Sequence, residues 1–409
     1  MKKLAISLTV LSLIFASCSS SDDDVVTTPP SGSGEITAEN VTASKTFIKG
    51  TYTLSGTVRI KKDIVLTFEA GSVITADVTN GADALLVEKG GQLIIKGTAA
   101  EPVVFTEKSK TPGSWGGIIM FGDAPIVSGK TADGTPITTA TSEDGTNIVY
   151  GGTNPTHNGG SLKYVRVEYA GKKILDGNSE MNGFSFYSVG SGTVLENLVA
   201  YKGADDGFEF YGGTVSAKNL ISYGNTDDSF DWQDGWQGQA NTNWYAYQTG
   251  SGNYGMEIEA KSVNNAFFPK VSNITLRRAA GTAPEAAGSV EFDAIQFKKE
   301  GNGEYSNIVI SGFTNTVSTT KDGVTTTTNA VAVRIQEAAT NTNQVIGGKI
   351  KILNIKIGDA ATAQTGVGAS GYTVAFPVGN FTTSASATGA SLTPGAWAIV
   401  DGVNLLANL

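Results

Sequence analysis

Two segments of this 409-residue chain repeat each other at an offset of 22 residues. NLVAYKGADDGFEFYGG begins at Asn197 and NLISYGNTDDSFDWQDG begins at Asn219, and their acidic positions coincide, so that Asp205 matches Asp227. A fixed period in the twenties with strand-like composition is typical of a solenoid, in which each repeat covers the apolar face of the next. This repeat therefore constrains the fold more than any other feature of the sequence.

Short β-rich runs separated by Gly or Asn turns continue through residues 46–409. LTFEAGSVIT and ALLVEKGGQLIIKGT are examples, and helical spacing of apolar residues is hard to find in this part of the chain. Leucine-rich repeats fit poorly because no helical return segment is present. Rungs of about 22–26 residues without helices predict an all-β domain, a single-stranded right-handed parallel β-helix.

The apolar columns, the recurring asparagines and the irregular C-terminal region are each predicted to have a structural role. Strand alternation places large apolar residues of successive rungs in stacked core columns, formed by Phe184, Phe208, Phe230 and Met256 and by Phe186, Phe210, Trp232 and Ile258. Amides before β-branched runs are expected to satisfy buried turns, at Asn197, Asn219, Asn273, Asn307 and Asn354. Beyond about residue 313 the pattern loosens, so STTKDGVTTTTN is predicted to be a loop, the low-complexity stretch after residue 358 an insertion or cap, and GAWAIVDGV a final strand.

Residues 1–17 have the composition of a secretion signal. Lys2 and Lys3 precede the apolar run LAISLTVLSLIFA, which is too short to span a bilayer permanently. The only cysteine, Cys18, follows this run after a single serine, and FASC resembles the lipobox of bacterial lipoproteins. That resemblance implies acylation of Cys18, which would become the mature N-terminus and attach the protein to a membrane. Ordinary cleavage beside an incidental cysteine is the alternative.

The segment 18–45 begins with Cys18, the residue expected to be lipidated. It lacks periodicity and is predicted to be a flexible polar linker. Within it, SSSDDD resembles the acidic export tag of surface lipoproteins of Bacteroidota, which implies an outer-membrane, cell-surface location. A solvated spacer is the alternative.

Composition narrows the chemistry of the domain. Lys and Arg number 29 against 38 Asp and Glu, a net charge of -9, and an acidic excess argues against nucleic-acid binding, which needs a basic surface. The single histidine, His157, and the single cysteine exclude a multi-histidine zinc site, an intrachain disulfide and a CxxC site. A Ser-His-Asp arrangement would depend on His157 alone.

Acidic residues recur in the two best-matched rungs. Successive rungs of a β-helix lie about 4.8 Å apart, so equivalent carboxylates would repel and would take up protons or a cation. Oxygen ligands without His or Cys suit Ca²⁺. We therefore predict a calcium ion joining the rungs through Asp205, Asp206, Glu209, Asp227, Asp228, Asp231, Asp234 and Glu257. Two alternatives stay open, namely a hydrated surface whose turn aspartates accept bonds from backbone N–H groups, and a carboxylate pair that cleaves a glycoside.

Aromatic residues cluster in DWQDGWQGQANTNWYAY, next to these acids. Rings beside acids and amides are common on sugar-binding surfaces, so Trp236, Trp244 and Tyr245 are predicted to contact a ligand, with Trp236 and Trp244 exposed. Trp232 is assigned to the core. The alternative is that the other rings only cover a loop. Acidic surroundings favour a neutral glycan.

The motifs GQLIIKGTAAEPVVFT, SWGGIIMFGDAPI, GADDGFEFYGGTV and DDSFDWQDGWQG give the chain a family resemblance. Over about residues 50–315 it resembles the pectin-lyase-type β-helix lipoproteins of Bacteroidota. The resemblance implies the fold and the surface location, but it does not specify a reaction.

We therefore expect a non-enzymatic binding or accessory role toward a glycan, an outer-membrane protein or an uptake system. A polysaccharide lyase or glycoside hydrolase is the alternative, supported by fold analogy alone. A lyase would need a Lys or Arg base, for which Arg277, Arg278 and Arg334 are candidates, although Arg278 is interpreted as a surface charge.

Overall fold

The computed structural model describes residues 31–38, 41–80, 83–174, 180–261, 269–358, 363–367 and 372–409. The chain divides into residues 1–30 and a compact unit of residues 31–409. The signal sequence and Cys18 lie outside the described residues, so acylation stays a prediction. The predicted linker of residues 18–45 is too long, because Gly32–Ile36 already forms a strand that pairs in parallel with Gly50–Leu54.

Two long parallel sheets make up the unit, which is a parallel β-helix as the repeat predicts. The first sheet has 15 strands: Gly32–Ile36, Lys45–Phe47, Gly50–Leu54, Val65–Glu69, Val73–Ala76, Gln92–Lys96, Val103–Glu107, Gly160–Glu168, Val194–Tyr201, Ala217–Tyr223, Asn241–Gln248, Lys270–Arg278, Gly303–Ser311, Ile350–Ile357 and Phe381–Thr383. The second sheet has 10 strands: Thr57–Ile60, Ala84–Val87, Ile118–Phe121, Phe184–Tyr187, Phe208–Tyr211, Phe230–Gln233, Met256–Ile258, Ile295–Phe297, Val331–Ile335 and Ala363–Val367.

Smaller elements decorate this framework. Antiparallel pairs join Gly129–Lys130 to Pro136–Ile137, Ala140–Thr141 to Val149–Tyr150, Thr316–Lys321 to Val324–Asn329, and Ile399–Val400 to Val403–Asn404. Helical turns occupy Val78–Asn80, Ala338–Thr340, Asn341–Ile346, Ala396–Ala398 and Leu405–Asn408. Within the described part of the chain, no helix is both long and apolar enough to cross a membrane.

The 22-residue repeat corresponds to consecutive rungs in register. Phe208 pairs with Phe230, and Glu209 with Asp231, on neighbouring strands of the second sheet. The rings of Phe184 and Phe208 stack with centroids 5.0 Å apart, and those of Phe208 and Phe230 with centroids 5.7 Å apart. All eight predicted column residues are buried, which confirms the core columns. Because strand residues alternate between faces, the residues between them point outward.

The predicted asparagines bend the long strands of the first sheet. Each has a positive φ, between 54° and 60°, at Asn197, Asn219, Asn273, Asn307 and Asn354, and Asn243 shares this conformation. Asparagine tolerates the left-handed region better than most residues. The side chains also join the rungs, since Asn219 Nδ2 donates to Asn197 Oδ1 over 2.9 Å. Side-chain bonds between rungs confirm the predicted structural role of Asn197, Asn219, Asn273 and Asn307. Asn354 shares the backbone conformation, but its side chain is exposed.

The C-terminal region differs from its predictions. STTKDGVTTTTN is a hairpin rather than a loop, because its alternating Thr residues pair across the antiparallel strands Thr316–Lys321 and Val324–Asn329. GAWAIVDGV adds no strand to either parallel sheet. It packs on the outside of the first sheet, where the backbone N–H of Trp397 donates to the carbonyl oxygen of Ala99 over 3.1 Å. Arg166 Nη1 donates to the carbonyl oxygen of Ala396 over 3.0 Å and secures the same contact.

Candidate functional site

An acid-lined cavity of about 520 Å³ lies on the outer face of the second sheet. The outward positions of successive strands pair in one row, Ser185, Glu209, Asp231, Glu257 and Gln296. The three acids of this row line the cavity. Of the residues that the structure describes, twelve with carboxylate side chains and three lysines line the cavity. Seven of the eight predicted metal ligands are among them: Asp205, Asp206, Glu209, Asp227, Asp228, Asp231 and Glu257. The repeat therefore correctly indicated where acids converge.

One group in which every member is buried, called the inner triad, consists of Asp206, Glu209 and Asp231. Each offers a carboxylate oxygen, and these three atoms lie within 4.8 Å of one another. All three side chains are buried, and Asp231 Oδ1 has no hydrogen-bond partner among the described residues. Burial raises the pKa of the Asp231 carboxyl well above its usual value, and the Glu209 carboxylate raises it further. The group thus favours protons or a cation.

Neighbouring polar side chains hold Glu209 in place. Asn182 Nδ2 donates to its Oε2 over 2.6 Å, and Gln233 Nε2 donates to its Oε1 over 3.0 Å. The Tyr211 hydroxyl donates to the same Oε2 atom. Supporting bonds of this kind orient metal ligands in proteins. Sequence analysis missed these three residues, although Tyr211 and Gln233 occupy equivalent rung positions beyond the predicted acids.

A second group, the outer triad, consists of Glu180, Asp205 and Asp227 and includes two partly exposed side chains. One carboxylate oxygen from each again lies within 4.8 Å of the others. Asp205 is buried, with a pKa raised well above its usual value by burial and by Asp227. Burial and then Glu285 raise the pKa of Asp227 to about 7, against the lowering effect of the bond from Asn253 Nδ2.

Two turn aspartates also satisfy backbone groups of the next rung. Asp206 Oδ1 accepts from the N–H of Asp228 over 2.8 Å, and Asp228 Oδ1 accepts from the N–H of Tyr254 over 2.6 Å. The alternative that turn aspartates bind backbone N–H groups is thus confirmed at these two positions. Each carboxylate retains a second oxygen for another partner.

Two predicted ligands have other roles. Asp234 is not part of the cavity wall, since the Tyr150 hydroxyl donates to it and Lys261 Nζ lies 3.2 Å from its Oδ1. Its prediction as a cluster member is wrong, because it follows the strand whose outward residue is Asp231. Glu257 does line the cavity, but it belongs to neither triad and pairs with Lys298 Nζ over 2.5 Å.

Lysines from the rung that follows Glu257 partly neutralise the cavity. Lys298 Nζ also lies 2.8 Å from Glu259 Oε1, and Lys299 Nζ lies 3.0 Å from the same atom. Burial alone would lower the pKa of Lys298, but Glu257 and Glu259 raise it above the usual lysine value. A lysine held protonated in this way is a poor general base. The sequence did not indicate these lysines because they follow a later rung.

The predicted ligand-contacting aromatic residues are buried. Trp236 and Trp244 are 1% and 0% exposed, and their indole N–H groups donate to the carbonyl oxygens of Val215 and Ala217. Their predicted exposure is wrong because Trp244 points inward by strand alternation and Trp236 stacks on Phe210 with centroids 4.6 Å apart. Trp232 is in the core, as predicted.

Tyr245 points outward from the first sheet, but the C-terminal segment covers it. It lies in one buried cluster with Leu392 and Trp397 and is 0% exposed. Its predicted contact with a ligand is therefore also wrong.

The arginine candidates are engaged elsewhere. Arg278 is buried, and its Nη1 donates to Gln248 Oε1 over 2.6 Å, so its interpretation as a surface charge is wrong. Arg334 pairs with Asp293, and Arg277 donates to the Ser311 hydroxyl over 2.9 Å. Among the residues that the structure describes, no arginine lines the cavity.

A long parallel β-helix with a carboxylate-lined cavity on the outside of one sheet defines the class of β-helix protein with an oxygen-rich cavity. The chain belongs to the family described as pectate-lyase-like β-helix domains, whose model matches residues 34–399. A search of curated proteins finds none that matches the sequence. Among solved structures, the chain is similar to an endo-xylogalacturonan hydrolase from Aspergillus tubingensis, with 12% identity, a TM-score of 0.28, and coverage of 86% of this chain and 91% of that one.

Proposed function

We propose that this protein is a lipid-anchored β-helix protein of the outer-membrane surface whose acidic cavity binds Ca²⁺. It acts without catalysis, as a binding or accessory component for a glycan, a protein or an uptake-system partner. The lipobox-like FASC with Cys18, the following SSSDDD and the resemblance to lipoproteins of Bacteroidota support the location. The carboxylates that line the cavity support Ca²⁺ as the ligand.

The inner triad carries the calcium proposal. Ca²⁺ takes six to eight oxygen ligands in irregular geometry, and three carboxylates supply three to six of them. The Asp231 oxygen without a partner is what a cation would satisfy, since an unpaired carboxylate is costly to bury. Asp206 and Asp231 belong to successive rungs, so an ion bound there stabilises the stacking of those rungs.

Calcium titration of the full-length chain carrying Cys18→Ser, which cannot be acylated, tests this proposal. We expect Ca²⁺ to bind and to raise the melting temperature, and a chelator to lower it. Asp231→Asn should remove most of that rise. Glu291→Gln is the matched control, because Glu291 lines the cavity outside both triads. A melting temperature indifferent to calcium and chelator contradicts the proposal.

The location has its own test in cells. Metabolic labelling with a fatty acid should mark the wild-type chain and leave Cys18→Ala unlabelled. Protease added to intact cells should digest the labelled protein if it is at the surface. Labelling of Cys18→Ala, or protection from protease, contradicts the surface anchor.

A polysaccharide-cleaving enzyme is the second candidate, and the inner triad is the observation that favours it. Burial raises the pKa of Glu209 well above its usual value, which favours the protonated form that a general acid beside Asp231 needs. The protonated Lys298 disfavours a lysine-based lyase. Release of reducing ends from a panel of polysaccharides is the assay, and Glu209→Gln should abolish it. Cleavage that survives this substitution contradicts the assignment.

A further inference from the structure

The cavity contains more carboxylates than one cation needs, and they fall into two groups without a common member. The inner triad is formed by Asp206, Glu209 and Asp231, and the outer triad by Glu180, Asp205 and Asp227. A third group of Asp206, Asp227 and Asp228 lies between them and shares one residue with each. The carboxylates therefore form a continuous row that crosses the rungs.

Each triad contains one buried carboxylate that has no hydrogen-bond partner among the described residues. Asp231 is 8% exposed and its Oδ1 has no hydrogen-bond partner, while Asp205 is 3% exposed, faces the cavity and forms neither a hydrogen bond nor an ion pair with the described residues. Native proteins rarely leave a buried carboxylate uncompensated, because the cost of desolvating it is not offset. Two such groups at opposite ends of the row point to two ligands.

We propose that the cavity binds two divalent cations, one at the inner triad and one at the outer triad. This inference rests on the proposed calcium binding and extends it to a second site. Asp206 and Asp227 meet in the intermediate group, so their carboxylates can bridge the two ions. The cations share the excess negative charge that the three lysines leave.

The two sites differ in access to solvent. All three inner carboxylates are buried, so the inner ion is shielded from solvent. Because Asp206 and Asp231 belong to successive rungs, this ion also joins the rungs. In the outer triad the Glu180 side chain is 40% exposed and Lys173 Nζ lies 3.2 Å from its Oε1. The outer ion is therefore the more readily exchanged. It retains coordination positions for water or for oxygen atoms of a ligand, because three carboxylates rarely complete a calcium sphere.

Binding stoichiometry tests this inference. Isothermal titration of Ca²⁺ into the full-length Cys18→Ser chain should give two ions per chain. Asp205→Asn should bind one ion and retain the calcium-dependent rise in melting temperature. Asp231→Asn should also bind one ion but lose most of that rise. Glu291→Gln should still bind two. Tb³⁺ luminescence provides a second readout of the number of sites.

The outcomes separate this inference from the proposed function. One ion per wild-type chain, abolished by either substitution, means a single site and overturns the second cation while leaving calcium binding intact. No binding at all overturns both. Two ions that both survive Asp205→Asn place the second ion elsewhere and overturn the outer site.

Discussion

Asp206 Oδ1 accepts a hydrogen bond of 2.8 Å from the backbone N–H of Asp228, one rung further along the helix. The same carboxylate belongs to the inner triad. One side chain thus has two separable roles, since an amide oxygen can replace the acceptor but cannot replace the charge.

Substitution at residue 206 should separate these roles. Asp206→Ala leaves the N–H of Asp228 buried without a partner, which costs about 1–3 kcal/mol of unfolding free energy. Asp206→Asn keeps an acceptor and should be more stable than Asp206→Ala in chelator, while both lose the stabilisation by calcium. Denaturant unfolding with and without Ca²⁺ measures both effects. Equal stability of the two variants in chelator would show that the hydrogen bond contributes nothing.

Without metal, the stability of the protein should fall as the pH rises from about 4 to about 7. Asp227 has a folded-state pKa of about 7 against a usual value of 3.8. The folded state therefore binds the proton more tightly, so this contribution is full below the lower value and disappears as the pH rises through the upper one. Buried Asp205 and Asp231, whose pKa values are also raised, act in the same direction.

Denaturant unfolding in chelator across this pH range is the measurement. Calcium should reduce the decline because it binds the ionised carboxylates, and Asp227→Asn should reduce it because that titrating group is gone. Stability that increases over the same range contradicts the assignment.

The asparagine ladder should be sensitive to a single substitution at Asn219. Its Nδ2 donates to Asn197 Oδ1 over 2.9 Å, its Oδ1 accepts from Asn243 Nδ2 over 3.0 Å, and its φ is 58°. Asn219→Ala removes two hydrogen bonds and leaves an alanine in the left-handed region, which is unfavourable for a residue with a Cβ and no polar side chain. Together these effects should lower the free energy of unfolding by roughly 3 kcal/mol. Asn219→Gly loses the bonds but not the conformation, so its loss should be about 1 kcal/mol smaller. If both variants lose the same free energy of unfolding, the backbone conformation of residue 219 contributes nothing to the effect.

Tryptophan fluorescence should not report ligand binding at the surface. The five tryptophans are Trp115, Trp232, Trp236, Trp244 and Trp397, each at most 1% exposed. We expect blue-shifted emission, resistance to iodide quenching, and no change in quenching when an oligosaccharide is added. Unfolded protein provides the quenchable control. Protection from iodide by a sugar would mean that an indole is exposed after all.

The repeat predicted the parallel β-helix, its core columns and the convergence of acids because these depend on rung register. Pairing of Glu209 with Asp231 follows directly from an offset that keeps Phe208 on Phe230. Such relationships are local in a solenoid, where each rung contacts its neighbours.

Other features depend on contacts far apart in the sequence. Lys298 reaches Glu257 from a rung whose spacing is irregular, and no period indicates it. Tyr245 is covered by a segment more than a hundred residues later in the chain, so its local sequence resembles an exposed surface. Trp236 turns inward after its strand ends, where alternation no longer predicts direction.

Two hydrogen bonds join a late segment of the chain to early rungs. The backbone N–H of Trp397 donates to the Ala99 carbonyl, and Arg166 donates to the Ala396 carbonyl. A stack of rungs whose last members touch one neighbour alone tends to fray and to lose those rungs first. Here the final segment leaves the end of the stack and is fastened beside an early rung. Breaking these contacts would release the segment that carries Trp397, so they limit both the unravelling of the last rungs and the access of proteases to that segment.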